Sequence, residues 1–162
     1  MIAITLPDGS VKQFDAGITP MEVAISISEG FARNVISASF NDTTIESSTP
    51  LTEDGNLILY TWRDTKGKQA FWHSSAHIMA QALEEMFPGI KLTIGPAIEN
   101  GFYYDIDLVN NTISEKDLKP IEDKMLEIAR GKHVFTLRES SKADALEYYR
   151  KQGNEYKVAL IE

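Results

Sequence analysis

Two histidines stand four residues apart in His73-Ser74-Ser75-Ala76-His77. On a helix, at about 100° per residue, their imidazoles lie about 40° apart on one face. Histidine exchanges its proton near neutral pH, so such a pair can position or activate a water or a hydroxyl. The same pair can equally pack and hydrogen-bond at the edge of a core, beside the apolar stripe Trp72, Ala76, Met79, Ala80, Leu83, Met86 and Phe87.

Metal chemistry fits poorly. A His-Glu-x-x-His protease helix carries its general base directly after the first histidine, where this chain has Ser74. Two histidines are too few ligands, His133 is the only other one, and there is no cysteine, so no metal site is expected. Neither a Walker loop nor a Gly-x-Ser-x-Gly elbow is present. Gly101-Phe102-Tyr103-Tyr104-Asp105 reads as an aromatic strand with Phe102 and Tyr104 on one face and Tyr103 on the other. A tyrosine hydroxyl there can reach a substrate, or the ring can fill a core. Glu84-Glu85 and the charges of 115–127 read as solvated helix faces.

The histidines need a helix, read roughly as Ala70 to Phe87 and stopped by Pro88-Gly89. After it come an extended Ile90 to Ile94, the aromatic strand, and a helix opened by Ser114-Glu115-Lys116-Asp117 and ending near Arg130. Val134 to Arg138 reads as a strand, Ala143 to Lys151 as a helix, and Tyr156 to Ile161 as another strand. Ahead of the polar stretch Arg63 to Gln69 lies a different pattern. Ile2, Ile4 and Leu6 alternate, Pro7-Asp8-Gly9-Ser10 turns, and Val11 to Phe14 returns. Thr19-Pro20-Met21-Glu22 is a capping box opening a helix that Gly30 ends. Strands Val35 to Phe40 and Leu57 to Thr61 follow. The fold class is α+β: a ubiquitin-like β-grasp over residues 1–62, then an incomplete α+β domain over 63–162.

Charge limits the partners. Lysine and arginine total 16 against 24 acidic residues, a net −8 over 162 residues. Residues 1–62 hold Lys12 and Arg33 against eight acids, 2 − 8 = −6, which leaves −2 for 63–162. Neither half is a basic domain that holds nucleic acid by phosphate neutralisation alone, so any RNA contact is local. No apolar run spans a membrane and the N-terminus is no signal peptide, so a cytoplasmic protein is expected.

The order of these features resembles the N-terminal region of the bacterial threonyl-tRNA synthetases. Residues 1–62 are similar to the TGS domain of that family, from Ile-Thr-Leu-Pro-Asp-Gly-Ser through Thr-Pro-Met-Glu to Glu-Asp-Gly-Asn-Leu. Phe71-Trp72 running into the two histidines, Ile94-Gly95-Pro96, Gly101 to Asp105 and Glu155-Tyr156-Lys157-Val158 resemble its editing domain. That domain hydrolyses mischarged seryl-tRNA. The resemblance implies that His73 and His77 are catalytic, that Tyr104 and Lys157 bind substrate, and that the partner is threonine tRNA. It also implies a homodimeric parent enzyme whose catalytic core, outside this chain, uses ATP, magnesium and zinc, with no cofactor in the present part.

The family's editing site also uses a Cys-x-x-x-His element, which this cysteine-free chain lacks. The chain is therefore read as an N-terminal fragment, ending just after the apolar Val158 to Ile161, that does not catalyse alone. A reading from another class stays open: a non-enzymatic TGS-type regulatory or ligand-binding module with a packing domain.

Overall fold

The computed structural model describes residues 1–133 and 138–162. Its chain divides into two compact units, Met1–Phe71 and Trp72–Glu162.

The first unit is a five-stranded mixed sheet with strand order β2-β1-β5-β3-β4 and helices α1 and α2. β1 (Ile2–Thr5) pairs antiparallel with β2 (Val11–Phe14) and parallel with β5 (Gly55–Thr61). β3 (Val35–Phe40) lies antiparallel to β5 and to β4 (Thr43–Ile45). Asn41 and Asp42 both have positive φ, 47° and 65°. That conformation gives a two-residue turn the twist needed to join β3 to β4. α1 (Pro20–Ile27) is capped as its sequence announces: the Thr19 hydroxyl accepts the Glu22 N–H while the Glu22 carboxylate accepts the Thr19 N–H. Ile2, Ile4, Val23, Ala38, Leu51 and Leu57 close the core between helix and sheet.

Gly30 does not end α1. The helix ends at Ser28, whose hydroxyl caps a second short helix, α2 (Glu29–Ala32), and Gly30 lies inside it. Most of the polar stretch Arg63 to Gln69 is helical. α3 (Thr65–Met86) begins within it and passes the division at Phe71.

In the second unit, the C-terminal part of α3 packs with α4 (Glu115–Arg130) over Ala80, Leu83, Ile90, Leu92 and Ile121. Two short ribbons complete it, β6 (Lys91–Leu92) with β9 (Ile106–Asp107) and β7 (Ala97–Ile98) with β8 (Gly101–Phe102). The aromatic strand expected over 101–105 stops at Phe102. Beyond it the Asp105 N–H donates to the Ile94 carbonyl at 2.9 Å, and the Asp105 carbonyl accepts from Thr93. α4 starts at Glu115, with Asp117 accepting both the Ser114 N–H and hydroxyl, and tolerates Pro120 in its second turn.

α5 (Lys142–Lys151) matches its reading. Tyr156 to Ile161, expected as a strand, is instead helix α6 (Glu155–Ile161). Asn154 nucleates it by accepting the Lys157 N–H. The strand read over Val134 to Arg138 lies outside the described residues but for Arg138.

Candidate functional site

The site belongs to the second unit. Buried Ala76 and Ala80 hold one side of α3 against the protein interior. His73 and His77 stay on one face, each with an exposed edge and His77 partly covered by the protein, with Nε2 atoms 3.2 Å apart. Their rings meet edge to face, centroids 4.6 Å apart and planes at 86°. At that separation one Nε2 must carry the hydrogen and the other must offer its lone pair. Two imidazolium rings cannot make this contact. The pair therefore presents one basic nitrogen and one donor, and the hydrogen's placement between them can exchange.

His77 is held below the ordinary histidine range, first by burial, then by the charges of His73 and Lys157. It is neutral at neutral pH, as a proton acceptor must be. Lys157, on α6, is itself pushed down by burial, against which the Glu84 carboxylate works. Tyr104 is raised by burial, then by the charges of Glu84 and Tyr149, so its hydroxyl keeps its hydrogen.

Tyr104 and Lys157 are positioned by contacts from distant parts of the second unit. A Cβ at Gly95 would overlap the Tyr104 ring, so only glycine lets the Ile94-Gly95-Pro96 backbone lie against that ring. Tyr104 is half-buried, packing on the α3–α4 core, whereas Tyr103 is 46% exposed and Phe102 lies 6.0 Å from the Trp72 ring. α6 is fastened to the β6–β9 ribbon by polar contacts. Asn154 donates to the Leu92 carbonyl at 3.0 Å, Lys91 pairs with Glu155 at 2.7 Å, and the Tyr156 hydroxyl donates to Asp107 at 2.8 Å.

The four residues singled out from sequence are thus brought into one electrostatic neighbourhood: His73 touches His77, Lys157 acts on His77, and Glu84 acts on both Lys157 and Tyr104. Glu84 and Asn154 escaped the sequence reading. Glu84 is seven residues after His77, which returns it to the histidine face within about 20°. Both it and its neighbour Glu85 are exposed, as the sequence suggests, and Glu85 pairs with Lys124 at 2.9 Å. Glu84 and Asn154 also share the lining of a cavity of about 270 Å³ with Gly89, Ile90, Lys91 and Gln152. His133 is not drawn into the site; its charge acts on Glu85. Among the described residues no three His, Asp or Glu side chains are placed to hold a metal ion. No helix among them is long and apolar enough to cross a membrane.

A histidine pair beside an ammonium is of the kind that can serve hydrolysis of an activated carbonyl. Residues 2–61 match the TGS domain family. Over 161 residues, 99% of this chain, the sequence is 68% identical to a threonine–tRNA ligase of Flavobacterium johnsoniae, covering 24% of that protein. It is 64% identical to the ligase of Flavobacterium psychrophilum over the same shares, and 49% identical to that of Cytophaga hutchinsonii over 100% of this chain and 25% of the relative. The chain spans about a quarter of the length of the curated relatives it matches. Over essentially its whole length the chain is thus similar to the N-terminal quarter of threonine–tRNA ligases, and its residues 2–61 match the TGS domain family.

Proposed function

We propose that the chain acts as the N-terminal region of a threonine–tRNA ligase, with a TGS domain over residues 1–62 and one wall of an aminoacyl-tRNA editing site over 63–162. The parent enzyme attaches threonine to its tRNA in the cytoplasm as a homodimer. ATP, magnesium and zinc serve its aminoacylation core, outside this chain. A threonine pocket discriminates against serine, one methyl smaller, by only about 1–3 kcal/mol, so a hydrolytic second site is needed.

The observation that carries this reading is the 3.2 Å contact between the His73 and His77 Nε2 atoms beside Lys157. Water attacks the seryl ester carbonyl and gives its proton to the histidine pair, held as a base by the burial and positive surroundings of His77. The Lys157 ammonium stabilises the oxyanion that forms. As the acyl C–O bond breaks, the proton passes to the departing ribose oxygen, releasing serine and free tRNA. Tyr104, with its hydroxyl protonated, hydrogen-bonds the aminoacyl end. The remaining wall, including the cysteine-bearing element implied by the resemblance, comes from outside residues 1–162, so the chain alone deacylates weakly or not at all.

The test is His73→Ala in the full-length enzyme. Seryl-tRNA then persists while threonylation survives; normal clearance of seryl-tRNA by the variant would overturn the assignment.

A further inference from the structure

The end of β5 and the first turns of α3, all within Met1–Phe71, gather cations and aromatic rings in an otherwise acidic unit. Arg63, Lys66 and Lys68 fall within six residues, with Asp64 the only acid among them. That carboxylate is already engaged, accepting the Thr61 N–H at 2.7 Å and the Thr61 hydroxyl at 3.0 Å. The Lys66 ammonium lies 5.3 Å from the Tyr60 ring centre and the Lys68 ammonium 6.0 Å from that of Trp62. Trp62 meets Phe71 edge to face at 5.0 Å, and the two are 45% and 44% exposed. A Cβ at Gly67 would overlap the Thr61 carbonyl, so glycine brings the first turn of α3 directly against the end of β5 and holds the cluster compact.

Among the described residues no carboxylate stands within ion-pair distance of Arg63, Lys66 or Lys68, whereas Lys91, Lys119, Lys124 and Lys151 are all paired. From residue 65 to residue 83 the sequence contains no acid at all. Unneutralised cations alternating with ring faces are the pattern that tracks a phosphodiester chain and stacks an unpaired base. An acidic protein would satisfy the charges but would leave the rings unused.

We propose that Arg63, Lys66 and Lys68, framed by Tyr60 and Trp62, form a contact surface for an RNA backbone. The identity of that RNA as tRNA rests on the function proposed above; the surface chemistry requires only a phosphodiester chain.

The test measures binding of the 162-residue chain to a threonine tRNA transcript by fluorescence anisotropy across a salt series, with polyglutamate as a base-free polyanion. Neutralising three phosphates of an unpaired strand gives log K against log salt a slope of about −2.1, at about −0.7 per phosphate. Lys66→Ala with Lys68→Ala is expected to reduce the slope to about −0.7, and Arg63→Gln, ahead of the helix, to about −1.4. Far-UV circular dichroism matching the parent shows that the helix survives in each. Lys119→Ala, on the exposed face of α4 and outside both sites, leaves affinity and slope unchanged, and because the measurement reads binding and no hydrolysis, failure of the hydrolytic reading is told apart from failure of this one. An unchanged slope in the folded double variant, or polyglutamate bound as tightly as RNA, overturns the proposal.

Discussion

The ring of Tyr104 lies against the backbone of Gly95 so closely that no Cβ fits between them. Gly95 is not at a positive φ, so its requirement is space alone. Gly95→Ala must push the ring off the α3–α4 core, an overpacking that costs about 1–3 kcal/mol. Thermal unfolding of Gly95→Ala and Tyr104→Phe separates displacement from loss of the hydroxyl. The first lowers the midpoint and the second leaves it nearly unchanged. Equal stability in Gly95→Ala would mean that the loop yields freely.

Lys157 contributes to holding His77 below its ordinary range. Lys157→Met removes that positive charge, so the His77 titration followed by NMR is expected to move upward in pH. No movement would place the ammonium too far away to act. The depressed value has a second consequence: near the ordinary histidine value of about 6.5 the unfolded chain binds more protons at this position than the folded one. This contribution to stability is fully present above that value. It is lost as pH falls through that value towards the folded His77 pKa. Denaturation midpoints taken between pH 7 and pH 5 check the sign.

Glu84 acts on Tyr104 and Lys157 together. With Glu84→Gln the phenol loses a neighbour that opposes its ionisation, so the Tyr104 titration drops. Lys157 loses the charge that favours its protonation and also drops. In the full-length enzyme the change is expected to raise KM for seryl-tRNA deacylation more than it lowers kcat, as for a positioning residue. Unmoved titrations would mean that the exposed Glu84 carboxylate acts on neither group.

Ser37, beside the β-bulge in β3, is buried with a hydroxyl that has no hydrogen-bond partner among the described residues. A buried polar atom left unmatched costs about 1–3 kcal/mol, so Ser37→Ala should stabilise the first unit by about 1 kcal/mol. Urea unfolding measures this directly. A destabilised variant would show that the hydroxyl is satisfied in solution.

The β-grasp unit was legible because several local signals agree: alternation in β1, the Thr19–Glu22 capping box, and a hydrophobic helix face opposite a hydrophobic sheet face. Gly30 misled because a glycine that commonly ends helices here lies within a second one, started by Ser28. The start of α3 was hidden by polar composition, since Thr65 to Gln69 shows no apolar period to read. α6 was missed for the opposite reason: four consecutive apolar residues fit a strand or a helix, and the deciding Asn154 cap lies just before them. In the site, the histidine pair follows from spacing alone. Glu84 is exposed as read, and its proximity to Tyr104 and Lys157 leaves no mark in the local sequence. Lys157 carries no local signal because the contacts that place α6 come from Leu92, Lys91 and Asp107, more than 45 residues earlier in the chain.

α5 and α6 bury no residue fully, and α6 is tied to the ribbon chiefly through directional polar contacts. Apolar packing yields gradually, but a few hydrogen bonds open together, and their opening exposes little hydrophobic surface. The helix carrying Lys157 can thus unlatch without unfolding the α3–α4 core, so its amides exchange with solvent through a low-energy local opening while those of α3 wait for a larger one. The charge that tunes His77 is therefore delivered by the most easily detached part of its own unit.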